Sequence, residues 1–124
     1  MSKQKLVLVV DDDLGILRGV GRLLREHGYD SMLFPSAKAF QSHDDFEQAT
    51  CVVLDIHLGD DSGIEVRRRL SAAGISLPVI YMTGRDNDAT RRAAMASGCI
   101  AYLTKPFAAR SLIEPIEGAF AGLL

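Results

Sequence analysis

The sequence predicts an α/β protein built on a five-stranded parallel sheet with helices on both faces. Three observations carry that expectation. Short apolar runs alternate along the chain with longer segments of helical periodicity. The runs Leu6–Val10, Cys51–Leu54 and Pro78–Met82 are apolar at every position, as strands buried on both faces must be. Gly28, Gly74 and Gly98 stand where three of the helical segments end, each able to turn the chain back toward the sheet.

The elements follow in order. Leu6–Val10 is the first strand. Asp13 is placed to cap the helix behind it, in which Ile16, Leu17, Val20, Leu23 and Leu24 recur at helical spacing until Gly28. Ser31–Phe34 reads as a weaker second strand at a sheet edge, and Ser36 caps a short helix carrying Ala39 and Phe40. Cys51–Leu54 is the third strand. Ser62 and Glu65 have the spacing of a capping box and open a third helix that runs to about Ala73. Pro78–Met82 is the fourth strand, residues 87–97 the fourth helix and Ile100–Leu103 the fifth strand. A last helix covers residues 108–121, with Pro115 an irregularity inside it. Strict alternation with right-handed crossovers leaves few topologies. For five strands the doubly wound, flavodoxin-like order 2-1-3-4-5 is expected, in one domain spanning residues 1–124.

Composition narrows the function classes. The chain has 124 residues, 48% hydrophobic and 24% charged, enough to bury a core without disulfides or metal staples. A net charge of −2 and a pI near 5.9 argue against direct nucleic-acid binding. Cys51 and Cys99 show neither C-x-x-C pairing nor metal-ligand spacing and read as small buried hydrophobes in a reducing compartment. No apolar run approaches the ~20 residues that span a membrane. The polar start at residues 1–5 precedes a short apolar run that ends in three aspartates, unlike a signal peptide. A cytoplasmic protein without membrane attachment is the expectation. His27, His43 and the loop residue His57 read as solvent-facing, and Arg67, Arg68, Arg69, Arg91 and Arg92 as a solvated basic helix surface.

Polar residues of interest follow the strands. Asp11 and Asp12 follow the first, Asp55 the third, Thr83 the fourth and Lys105 the fifth. In an open α/β sheet, ligands bind beyond the carboxyl ends of the strands where strand order reverses, here between the first and third. Asp11, Asp12 and Asp55 therefore flank the crevice, with Thr83 and Lys105 approaching from the far side. Three clustered carboxylates repel and call for a cation. Mg²⁺, a hard ion held by one or two carboxylates plus phosphate oxygens, suits them. A carboxylate can also act as nucleophile and form an acyl phosphate. Phosphoryl transfer needs mainly positioning and charge neutralisation, which Mg²⁺, Lys105 and the Thr83 hydroxyl together supply.

The motifs Val9-Val10-Asp11-Asp12-Asp13, Val53-Leu54-Asp55, Ser62-Gly63, Met82-Thr83-Gly84 and Tyr102-Leu103-Thr104-Lys105-Pro106-Phe107 occur in this order along nearly the whole chain. Together they resemble the receiver domain of two-component response regulators, with its CheY-like fold. Ser36-Ala37-Lys38-Ala39-Phe40 and Thr83-Gly84 are most similar to FixJ-like receivers. The resemblance implies that Asp55 is the phosphoacceptor and that Asp12 binds Mg²⁺ directly, Asp11 mainly through water. It implies that the backbone carbonyl of His57 completes the protein's share of the metal shell and that Lys105 pairs with the phosphoryl oxygens. Thr83 and Tyr102 would be the switch, Thr83 moving to the phosphoryl group and Tyr102 turning inward behind it. The Lys105–Pro106 peptide would be cis. A sensor histidine kinase or phosphotransfer protein would be the donor, and the face of helix four, strand five and helix five would control dimerisation or an output partner, including transcription. Such a chain catalyses only its own phosphorylation and dephosphorylation.

One position departs from the pattern. The family usually has proline four residues after the phosphoacceptor, and Gly59 stands there, followed by Asp60 and Asp61. A more flexible, more acidic loop is expected, with consequences for Mg²⁺ affinity and phosphoryl lifetime. His57 and Arg85 also look over the site. Two other readings compete. Asp11-x-Asp13 after a strand superficially resembles the nucleophile motif of haloacid-dehalogenase-type phosphatases, but Gly15 and the lack of an acidic pair after Lys105 oppose it. A pseudo-receiver that acts without phosphorylation would lack an acid, the threonine or the lysine, and none is missing.

Overall fold

The computed structural model describes residues 5–122. The polar start at residues 1–4 and the last two positions of the expected domain lie outside them. Strands β1 (Leu6–Val10), β2 (Asp30–Phe34) and β3 (Cys51–Asp55) alternate with helices α1 (Leu14–Glu26) and α2 (Ala37–Gln41). A two-residue pair, β4 (His57–Leu58) and β5 (Asp61–Ser62), comes next. It precedes α3 (Gly63–Ala72), β6 (Val79–Thr83), α4 (Asp88–Ala96), β7 (Ala101–Thr104) and α5 (Ala109–Ala121). The main sheet is parallel throughout, in the order β2-β1-β3-β6-β7. This is the expected five-stranded arrangement, with β6 and β7 as its fourth and fifth strands.

Side-chain alternation splits the core in two. Val7, Val9, Val53, Ile80 and Met82 face α1 and α5, meeting Leu17, Leu24, Leu112 and Ile116. Leu8, Val10, Val52, Leu54 and Tyr81 face the other way, toward Phe40, Val66, Leu70 and Ala94. Each such side chain withdrawn from water contributes ~1.5–3 kcal/mol. The caps form largely where side-chain chemistry places them. Asp13 accepts the Ile16 N–H at 3.1 Å and Ser36 that of Ala39 at 3.0 Å, while Asn87 caps α4 through Thr90 at 2.8 Å.

Several local expectations change. The capping box at α3 is not reciprocal. Ser62 accepts the Ile64 N–H at 3.2 Å, but Glu65 turns to Arg68 at 2.8 Å instead of reaching back. Pro78 precedes β6, which begins at Val79. Cys51 is fully buried, which pushes its thiol up to about 12, whereas Cys99 is only half-buried beside Met95. His43 is half-buried, with its ring against Phe34 and Phe46, ring centroids 5.5 and 5.3 Å away. Arg67 donates to the Leu77 carbonyl at 3.0 Å and lies 3.5 Å from that of Gly98, tying α3 to the loops before β6 and β7. Helix α5 continues through Pro115, which removes the N–H that the Ser111 carbonyl would otherwise accept.

The segment after β3 is a small hairpin. Gly59 sits at its tip with φ +63°, a left-handed conformation closed to proline, whose φ is held near −65°. Arg69 clamps the returning strand through Asp61, at 3.0 and 3.2 Å. The hairpin delivers Gly63 against β3 so tightly that a Cβ there would collide with the Asp55 carbonyl oxygen. Gly63→Ala is therefore expected to destabilise the fold by about 2–3 kcal/mol, read as a lower urea midpoint at unchanged m-value.

Candidate functional site

Each functional side chain is set by the strand end it follows. Asp11 is the first residue past β1; its N–H donates to the Phe34 carbonyl at 3.1 Å, which directs its carboxyl inward, where it is fully buried. Its Oδ1 accepts the Asp13 N–H at 2.8 Å. Asp55 ends β3 with 4% of its surface exposed, and its Oδ1 accepts the His57 N–H at 3.2 Å. Lys105 follows β7, its N–H bound to the Thr83 carbonyl at 2.8 Å, and its peptide with Pro106 is cis. The ammonium reaches Asp11 Oδ2 at 2.7 Å and Asp55 Oδ2 at 3.3 Å. Asp12 is exposed at the mouth, and one carboxylate oxygen from each of Asp11, Asp12 and Asp55 lies within 4.8 Å of the others. These groups open into a cleft of about 370 Å³ whose rim includes Gly59, Gly84 and Arg85.

The electrostatics follow from burial. Desolvation, then the neighbouring Asp11 charge, push the Asp55 carboxyl up to about 6, against the opposing pull of Lys105 and the His57 N–H. Burial also works against the Lys105 ammonium. Its hydrogen bond to Asp11 and the Asp55 charge outweigh that, and its pKa is raised. The carboxylates of Asp11, Asp12 and Asp55 gather beside the Lys105 ammonium, and the ligand atoms this cluster offers are all hard oxygens. That donor set fits an ion of the Mg²⁺ kind.

Not every expected residue meets at the cleft. Thr83 is fully buried at the end of β6, and its hydroxyl accepts the Arg85 N–H at 3.0 Å in a local turn. Tyr102 is not turned inward in this conformation. Its hydroxyl donates to Asp86 at 2.8 Å, and Arg91 both pairs with Asp86 at 2.6 Å and lies 5.4 Å above the tyrosine ring. Asp86 and Arg91 were invisible as partners because a loop acid ahead of a helix reads as a capping residue. Nor is His57 an exposed loop residue. It lies in β4, half-buried at the cleft, with Nε2 buried and making no hydrogen bond to another described residue.

The model of the response regulator receiver domain family matches residues 7–117. The chain belongs to the response-regulator receiver family. Among curated relatives, the response regulator protein TmoT of Ectopseudomonas mendocina is 30% identical over 95% of this receiver and 54% of its own length. Nodulation protein W of Bradyrhizobium diazoefficiens is 30% identical over 95% and 52%. The receiver thus spans about half the length of the curated relatives it matches. Among solved structures, the N-terminal domain of FixJ superposes with TM-score 0.82 at 28% identity, covering 100% of this chain and 98% of that one. A receiver from Pseudoalteromonas atlantica gives 0.89 at 26% identity, covering 96% and 99%. The fold is thus the CheY-like one. Among the described residues no helix is long and apolar enough to cross a membrane.

The raised Asp55 pKa makes the metal-free site a source of instability. With its folded value near 6, above the usual ~3.9 of the unfolded chain, its protonation favours the fold below about pH 4, and that contribution is lost as pH rises through 6. In EDTA at pH 7–8, Asp55→Asn should be more stable than wild type by on the order of 1–3 kcal/mol, the gap closing below pH 4 in urea titrations.

Proposed function

We propose that this receiver is a phosphorylation switch in which Asp55 takes a phosphoryl group from a phosphohistidine on a sensor kinase or phosphotransfer protein. The observation that carries this is the placement of Asp55. It is a nearly buried carboxylate at the strand-order reversal, with one oxygen held by a backbone N–H, the other by Lys105, and two further acids beside it. A pKa near 6 leaves it mostly ionised at neutral pH, as a nucleophile must be.

Asp11, Asp12, the Asp55 carboxylate and the His57 carbonyl would hold Mg²⁺. Bound there, the ion supplies positive charge to the phosphoryl oxygens. An Asp55 oxygen attacks phosphorus, the P–N bond to the donor imidazole breaks, and its electron pair stays on that nitrogen. The His57 N–H and Lys105 orient Asp55, and Lys105 exchanges a carboxylate partner for a phosphoryl oxygen. Hydrolysis of the acyl phosphate returns the resting state, so the receiver turns over only its own modification. Gly59 and the imidazole of His57 border the cleft and are placed to influence water access and hence phosphoryl lifetime.

The switch reading assigns Thr83 and Tyr102 to the response. For the Thr83 hydroxyl to reach the phosphoryl group it must leave the Arg85 N–H. For Tyr102 to turn inward it must leave Asp86 and the Arg91 guanidinium. The changed face of α4, β7 and α5 would then control dimerisation or an output partner. Relatives carry names such as transcriptional regulatory protein TdiR of Thauera aromatica, 30% identical over 93% of this chain, which supports transcription as the output of a longer polypeptide.

Incubation with acetyl phosphate and Mg²⁺ should add one phosphoryl group, about 80 Da by intact mass, to wild type and none to Asp55→Asn. Failure of the wild type to gain mass or to bind beryllofluoride would leave a receiver that signals without phosphorylation. Mg²⁺ at about 100 times its Kd should stabilise wild type by about 2.7 kcal/mol in thermal melts. Asp12→Asn should lose most of that shift.

A further inference from the structure

Helix α1 carries a second surface outside the phosphoacceptor cleft. Arg18, Arg22 and Arg25 lie on one exposed stripe and, with Gly21, Ser31 and Leu33, line a groove of about 490 Å³ between α1 and β2. Asp30 is the one acid in that lining. The ion pairs found among the described residues involve none of the three arginines. Gly21 lets Leu33 pack close against α1 at the groove floor: a Cβ there would stand 3.3 Å from Leu33.

The groove lies along a sheet edge, because among the described residues β2 pairs only with β1. The Asp30 N–H donates to the Lys5 carbonyl at 2.8 Å, and the Phe34 carbonyl accepts from Asp11 at 3.1 Å, so these positions turn toward β1. Alternation along the strand then turns the amides and carbonyls of Ser31 and Leu33 outward. The exposed side chains of Met32 and Leu33 add apolar surface to the edge.

We propose that the β2 edge and the Arg18, Arg22 and Arg25 stripe together dock an extended acidic segment of another protein, which adds to the sheet as a sixth strand. Backbone pairing with Ser31 and Leu33 supplies affinity, and carboxylates on alternate residues meet the guanidinia. The spacing suits this: Arg18 to Arg25 spans about 10 Å of helix, and side chains on one face of a strand recur every ~7 Å. A second copy of this chain is a poor occupant. Antiparallel β2–β2 pairing about a two-fold axis normal to the sheet would set both arginine stripes on the same face, where they repel.

The test uses the 124-residue chain and dye-labelled peptides of alternating Glu and Thr, about ten residues long, followed by fluorescence anisotropy. Binding should weaken at least about tenfold for the Gln-Thr analogue, for the Glu-Thr peptide N-methylated along its pairing edge, and for Arg18→Ser/Arg22→Ser. The amide NMR signals of Ser31 and Leu33 should shift with the unmethylated peptide alone. Unchanged Mg²⁺ stabilisation and circular dichroism in the double variant keep its loss of binding interpretable. No binding at millimolar peptide, equal binding of the N-methylated peptide, or a β2-mediated dimer in sedimentation would each overturn the proposal.

Discussion

Lys105 holds two buried acids that would otherwise repel each other. Its ammonium lies 2.7 Å from Asp11 and 3.3 Å from Asp55, and each acid ends or follows a different strand of the parallel sheet. A cluster of this kind is unfavourable in a low-dielectric setting unless the strand ends are held rigidly in register. The two-layered core does that holding. The inner strands β1, β3 and β6 run apolar on both faces almost to their last residues, and the charged groups follow at their ends. The excess of acid over base is left for a ligand to neutralise, so the site is built at some expense to the resting fold.

The loops around this cluster are tighter than their composition suggests. Gly59 takes a left-handed turn, β4 and β5 pair, Arg69 grips Asp61, and Gly63 lies against the Asp55 carbonyl. A chain with proline at position 59 would need another path. The hairpin therefore fixes the wall of the cleft, including the His57 N–H that orients the Asp55 carboxylate.

The response face has its own local bonds. Thr83 is occupied by Arg85, and Tyr102 by Asp86 and Arg91. Under the switch reading these contacts define the resting state, and the exchange of a buried hydroxyl's partner is the event that a phosphoryl group would bias. The Asp86–Arg91 pair is solvent-exposed and so modest in strength. A modest latch suits a two-state element, because neither arrangement should dominate by more than a ligand can reverse.

Much was determined by the sequence alone. Unbroken apolar runs such as Cys51–Leu54 set the parallel sheet, and helix caps such as Asp13 and Ser36 set where helices start. The acids and Lys105 had to meet because strand order carries them to one end. These are consequences of periodicity and topology, which act locally or through simple chain rules. What only the tertiary structure decided are contacts between segments whose local signals were satisfied otherwise. Glu65 chose Arg68 over the backbone of its own cap, His43 found two phenylalanine rings, and Arg67 found distant carbonyls. Tyr102 lies outward on Asp86, and the β2 edge runs beside the α1 arginines. Each depends on which surfaces packing brings within about 3–6 Å, a distance that residue type and spacing along the chain do not specify.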